Sequence, residues 1–233
     1  MEKNQSRKVY YVFSPWTRLF HWLMVGSIAV LFTTGLYIGN PSFLGNQGLE
    51  PTYAVNNWFS MEKIRFYHFT AAYILLAAII LKIYGFLVSK GDRLFPHFWT
   101  KKFYAGAWDT ILHYLFLRPR HRPYLRNSLA RASYAGLYFL ILIEIATGFA
   151  MYFGINPHSG GAMLFHFVGY IIANEYALHL VHHYVAWIIV LFAIVHVYMV
   201  IRDDLLEKNG ETSSMIAGVK FFAEEPEDLR DIR

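Results

Sequence analysis

The stretch HLVHHYVAWIIVLFAIVHVY, residues 179–198, is apolar enough for lipid yet carries four histidines. An ionisable side chain inside hydrocarbon is costly, so each of these imidazoles is a functional candidate by default. The whole chain has membrane character. Of its 233 residues 56% are hydrophobic and 16% charged, with mean hydropathy +0.31; a soluble domain carries about 25% charge. Residues 19–38, 66–88, 132–154 and 180–201 are the apolar runs. Each supplies the roughly 20 residues that cross about 30 Å of hydrocarbon as a helix. The expected fold class is therefore an all-α membrane protein, a four-transmembrane-helix bundle. The shorter run 161–173 reads as an interfacial helix or loop.

Charge sets the expected direction. Lys3, Arg7, Lys8 and Arg18 precede the first run, and nine lysines and arginines from Lys90 to Arg131 fill the loop between the second and third. The other two loops hold only Lys63 and Arg65. By the positive-inside rule both termini and the long loop are cytoplasmic. The net charge of +5 thus reads as topology and not as a nucleic-acid surface. The expected organisation is a cytoplasmic segment 1–18, a membrane domain 19–201 with the cytoplasmic loop 89–131, and a charged tail 202–233 without a second core. No cleavable leader is expected, because residues 1–15 are polar and the first apolar run is too long for a signal core. The chain has no cysteine, which excludes disulfides, cysteine-held iron–sulfur clusters and covalently attached haem.

The histidines fall at two depths. His21 starts the first span and His68 the second; His179, His182 and His183 lie at one end of the fourth and His196 at the other. A helix turns about 100° per residue, so His182 and His196, 14 apart, come within about 40° of the same face. His183 points about 140° away from His196, and His179 about 100°. If one face of the fourth span carries two cofactors, the ligands are His182 and His196, roughly 21 Å apart along the axis. His68 then completes one pair with His182, and His21 the other with His196. Two haems, each held by two imidazoles, suit this spacing, and iron without a free position favours electron transfer. His97, His113, His158, His166 and His183 read as interfacial or structural, and His179 stays open as a neighbour of the outer site.

RLFHW, residues 18–22, and RFYHF, residues 65–69, each place an arginine three residues before the histidine, on the same face. Arg18 and Arg65 are candidate partners for haem propionates. Gly35 in TTGLYIG lies 14 residues after His21, and Gly148 in ATGFAMY occupies a similar depth. Either glycine would let a flat macrocycle approach the backbone; close helix packing is the competing account. Glu144, midway along the third span, reads either as a protonated structural group or as part of a proton path.

RLFHWLMVGSIAVLFTTG, MEKIRFYHFTAAYILLAAIILKIYGFLV and the opening stretch followed by RDDLL resemble the b-type cytochrome subunit of membrane-bound nickel–iron hydrogenases, over nearly the whole chain. The resemblance implies two non-covalent haems b on His21, His68, His182 and His196. It implies a bacterial inner-membrane subunit beside an iron–sulfur small subunit and a nickel–iron large subunit outside the cytoplasm. It implies quinone as electron acceptor, with Tyr114, Asn127, Tyr198 and, more weakly, His121 at the candidate quinone site; a phenol and an amide can hydrogen-bond quinone carbonyls. The alternatives are the related cytochrome of a formate dehydrogenase or thiosulfate reductase and, from another class, a histidine-lined metal transporter.

Overall fold

A computed structural model describes residues 7–39, 60–89, 92, 96–118, 124–172 and 174–229. In chain order the elements are β1 (Lys8–Tyr11), α1 (Pro15–Gly39), α2 (Met61–Val88), α3 (Lys101–Tyr114), α4 (Ser128–Gly154), α5 (Gly160–Phe165), α6 (Phe167–Ile171), α7 (Glu175–Glu207), α8 (Glu211–Ala217) and β2 (Val219–Phe222). Among them α1, α2, α4 and α7 are long and apolar enough to cross a membrane. Each outruns its apolar window because polar caps extend it. Ser14 Oγ accepts from the Thr17 amide at 3.2 Å, Asn127 Oδ1 from Ala130 at 2.7 Å and Asn174 Oδ1 from Tyr176 at 2.8 Å. Such side chains satisfy first-turn amides that hydropathy does not register. Only 11% of the apolar window of α7 is buried. Leu191, Ile194 and Val197 are exposed on it, as side chains facing lipid would be.

The contacts divide the chain into two units, and each long helix contributes to both. The first comprises residues 1–21, 81–138 and 194–233. Here the charged tail does not trail away: α8 and β2 fold back, and β2 pairs antiparallel with β1, Lys8 opposite Phe222 and Tyr11 opposite Val219. Val12, Phe13, Leu125, Phe222 and Leu229 form a small apolar cluster beneath this sheet, a core that the charge of the tail concealed. Glycines at positive φ, Gly210 at 77° and Gly218 at 82°, bound α8. A Cβ at Gly218 would also stand 3.0 Å from the Phe13 carbonyl, so glycine is required there twice over. Buried Lys220 donates to the Leu125 carbonyl at 3.0 Å and pairs with Glu211 at 2.5 Å. Asp228 accepts from the Leu125 and Arg126 amides at 2.6 and 2.9 Å and pairs with Arg131 at 3.1 Å. Burial, then the Arg131 charge, lowers the Arg126 guanidinium to about 10. These bonds tie the start of α4 to the last described turn.

The second unit comprises residues 22–80 and 139–193. Ala71, Leu75, Ala78, Ile141, Phe149, Val185 and Ile189 are among its buried apolar residues. Phe149 stacks on Phe153 and Phe165, and meets Tyr73 edge-on. The expected interfacial run resolves into α5 and α6, neither long enough to span. Ile155, Met163, Leu164, Tyr170 and Ile171 there are 69–87% exposed, whereas Phe165 is held in the aromatic stack.

Candidate functional site

Two Thr-Gly dipeptides, one on α1 and one on α4, organise the second unit. In α1, Thr34 Oγ1 lies 2.9 Å from Nδ1 of His68 on α2. In α4, Thr147 Oγ1 lies 2.9 Å from Nδ1 of His182 on α7. Both hydroxyls already donate to their own helix, Thr34 to the Val30 carbonyl at 2.6 Å and Thr147 to the Ile143 carbonyl at 2.7 Å. A hydroxyl whose single hydrogen is so used can only accept from the imidazole. Nδ1 therefore carries the proton in both rings, and Nε2 is left with its lone pair. That is the tautomer a metal-ligating histidine needs, with its orientation set from behind.

The glycine after each threonine faces the same ring. A Cβ on Gly35 would stand 3.4 Å from His68 Cε1, and one on Gly148 would stand 3.1 Å from His182 Cε1. The sequence reading expected these glycines to admit a macrocycle; the structure places the imidazole edge against each of them. At Gly148 a methyl group would push on the ring that the threonine holds; at Gly35 it would make an ordinary contact.

Glu144 lies beside the His182 ring. Its Oε2 lies 2.9 Å from His182 Nδ1, and its side chain is only 13% exposed. His182 thus has a neutral and an acidic acceptor on one nitrogen, both from α4. His68 lies near enough to His182 to feel it electrostatically. His183 and His179 belong to other surroundings. Both are exposed; His183 accepts from Trp187 Nε1 at 3.2 Å, and His179 Nδ1 lies 3.0 Å from the Glu175 carbonyl of its own helix.

The first unit brings His21 and His196 together. Both are half-buried, they interact electrostatically, and the Tyr134 ring meets His196 edge-on at 5.9 Å. Arg18 of this unit hydrogen-bonds the Ile216 carbonyl at the end of α8, while its buried Nε has no acceptor among the described residues. Arg65, in the second unit, is exposed.

Two of the quinone-site candidates converge in the first unit. Tyr114 donates to Asp203 Oδ2 at 2.9 Å and also hydrogen-bonds Asn127. The Arg202 guanidinium lies over the Tyr114 ring at 5.5 Å and the Phe116 ring at 4.9 Å. Burial, then the Asp203 charge, push the Tyr114 phenol well above its ordinary range, so it keeps its hydrogen for donation. Tyr198 is 60% exposed and is not part of this group. His121 lies outside the described residues.

The donor sets fit haem. Among the described residues no three histidines or carboxylates gather as a metal-ion cage. Two imidazoles complete an iron shell when a porphyrin supplies the other four nitrogens. Thr34 and Thr147 did not emerge from histidine spacing, although the repeated T-G in TTGLYIG and ATGFAMY was a signal for them.

Comparison with known sequences agrees with this chemistry. The profile described as prokaryotic cytochrome b561 matches residues 12–218. The chain is 32% identical to the "Probable Ni/Fe-hydrogenase 1 B-type cytochrome subunit" of Escherichia coli, over 94% of each chain. It is 34% identical to the "Probable Ni/Fe-hydrogenase B-type cytochrome subunit" of Cupriavidus necator, over 94% of this chain and 90% of that one. The similarly named protein of Rhizobium leguminosarum is 32% identical over 95% and 92%.

Proposed function

Because the chain belongs to the prokaryotic cytochrome b561 family, we propose that it is a dihaem membrane anchor that takes electrons from the iron–sulfur subunit of a nickel–iron hydrogenase and passes them across the membrane to quinone. The observation that carries the reading is the paired imidazoles, above all His68 and His182, each with Nδ1 engaged and Nε2 left for iron. His68 and His182 would hold one haem b, His21 and His196 the other; bound haem supplies one-electron redox chemistry at each pair. The chain's own work is to hold the imidazoles as neutral Nδ1–H tautomers and keep the ring planes fixed. It also buries the centres among apolar helices, where the surroundings shift little on electron transfer.

Direction follows from charge. With the basic loop and both termini cytoplasmic, the His68–His182 pair lies toward the outer face of the bacterial inner membrane. The exposed apolar residues Ile155, Met163, Leu164, Tyr170 and Ile171 are then on that face, as a surface for the iron–sulfur subunit. The nickel–iron subunit would dock through it. Phe43, Leu44, Tyr53, Trp58 and Phe59, apolar residues between the first two spans in sequence, lie outside the described residues. Asn127 would hydrogen-bond a quinone near the His21–His196 pair, and Tyr114 would donate to it by turning its hydrogen away from Asp203.

The test is the visible spectrum and redox titration of the purified complex. Two b-type centres are expected; His68→Ala removes one, and His21→Ala or His196→Ala removes the other. A complex with a single haem, or with none, refutes the reading. Co-purification of nickel–iron and iron–sulfur subunits separates it from a formate dehydrogenase or thiosulfate reductase partner.

A further inference from the structure

His68 and His182 do not have equivalent surroundings. Behind His68, Nδ1 faces the neutral Thr34 hydroxyl. Behind His182 the equivalent Thr147 hydroxyl is joined by the Glu144 carboxyl at the same 2.9 Å. Thr147 spends its hydrogen on the Ile143 carbonyl, so His182 Nδ1 holds the proton between them. Oε2 of Glu144 faces an N–H and therefore accepts. The other oxygen, Oε1, is buried with no partner among the described residues; a proton there would have no acceptor. The one contact this carboxyl makes among the described residues is the N–H of His182 donating to Oε2. An ionised carboxyl in a span is rare, and its charge needs a cationic neighbour.

Resting on the reading of His182 as an iron ligand, we propose that Glu144 is a positioning residue that lowers the reduction potential of the His68–His182 haem through His182. A carboxylate that accepts from Nδ1 raises the basicity of Nε2. The oxidised iron carries one more positive charge than the reduced iron, so a nearby negative charge in a low-dielectric site favours the oxidised form. The carboxyl has no counterpart on the His68 side, where the acceptors are the Thr34 hydroxyl and the Leu31 carbonyl, both neutral. The asymmetry makes the potential of this haem adjustable at one residue on one helix, without change to either ligand.

The experiment is a potentiometric titration of the whole purified complex, followed in the b-haem band, for Glu144→Gln and Thr147→Val. Glu144→Gln is near-isosteric and keeps an acceptor for Nδ1 while removing the charge. It is expected to shift the reduced-to-oxidised ratio of this haem about tenfold toward reduced at a fixed potential. For one electron that is a rise of about 59 mV, with the other haem unmoved. Thr147→Val leaves the carboxylate in place and is expected not to raise the potential. An unchanged potential in haem-loaded Glu144→Gln, or an equal rise in Thr147→Val, overturns the proposal. Should Glu144→Gln fail to load haem, the Thr147→Val titration decides by the same rule. His182→Ala distinguishes the two layers: full content of both haems there refutes the ligand reading itself.

Discussion

Gly35 and Gly148 occupy equivalent places yet should respond differently to the same change. At Gly148 an added Cβ stands 3.1 Å from His182 Cε1, inside ordinary contact. The ring must retreat from α4 by about 0.3 Å to reach the start of the normal contact range. Retreat stretches the bonds to Thr147 and Glu144, both 2.9 Å, toward about 3.2 Å, the long limit for N–H···O. Inserting a methyl into such a site costs about 1–3 kcal/mol, which at 1.4 kcal/mol per tenfold is roughly 5- to 100-fold in haem retention. At Gly35 the same methyl meets His68 Cε1 at 3.4 Å, an ordinary contact. There the alanine gains about 1 kcal/mol of helix propensity and loses nothing at the ring. The assay is haem content per protein after purification, together with the rate of haem loss to a scavenger. Gly148→Ala should release one of the two haems faster, and Gly35→Ala should match the parent. Equal loss in the two variants, or a parental release rate in Gly148→Ala, refutes the steric argument.

Three further outcomes are expected. His182→Ala should remove one haem while His183→Ala retains both, because only the first ring is held with Nε2 free; the reverse pattern in the visible spectrum would end the face argument. Tyr114→Phe and Asn127→Ala should leave both haems reducible by hydrogen but slow their reoxidation by quinone, whereas Tyr198→Phe, on an exposed side chain, should not; stopped-flow reoxidation traces identical in all three would move the quinone site elsewhere. Glu211→Ala strands the buried Lys220 ammonium, whose side chain is only 4% exposed, and should cost about 3 kcal/mol, the low end for breaking a buried pair. Faster proteolysis within residues 208–229 is the readout, and unchanged protection would show that the Leu125 carbonyl suffices.

The four spans were legible because lipid imposes one rule on composition: a helix must be apolar for about 20 residues. The proposed histidine pairing could be reasoned from sequence, because a helix is regular enough for a 14-residue spacing to define a face. His182 and His196 came from that arithmetic, and half-burial for both, against exposure for His183, agrees with it. Helix ends were not legible, since Asn127 and Asn174 extend α4 and α7 by one or two side-chain hydrogen bonds. The folded tail was hidden because its sheet joins residues more than 200 positions apart, and pairing at that range leaves no local periodicity. Glu144 shows the division best. Its place in a span announced a function, but its partner lies on another helix 38 residues away. Which face of α4 meets which face of α7 is set by side-chain packing between helices, and only the assembled bundle decides it.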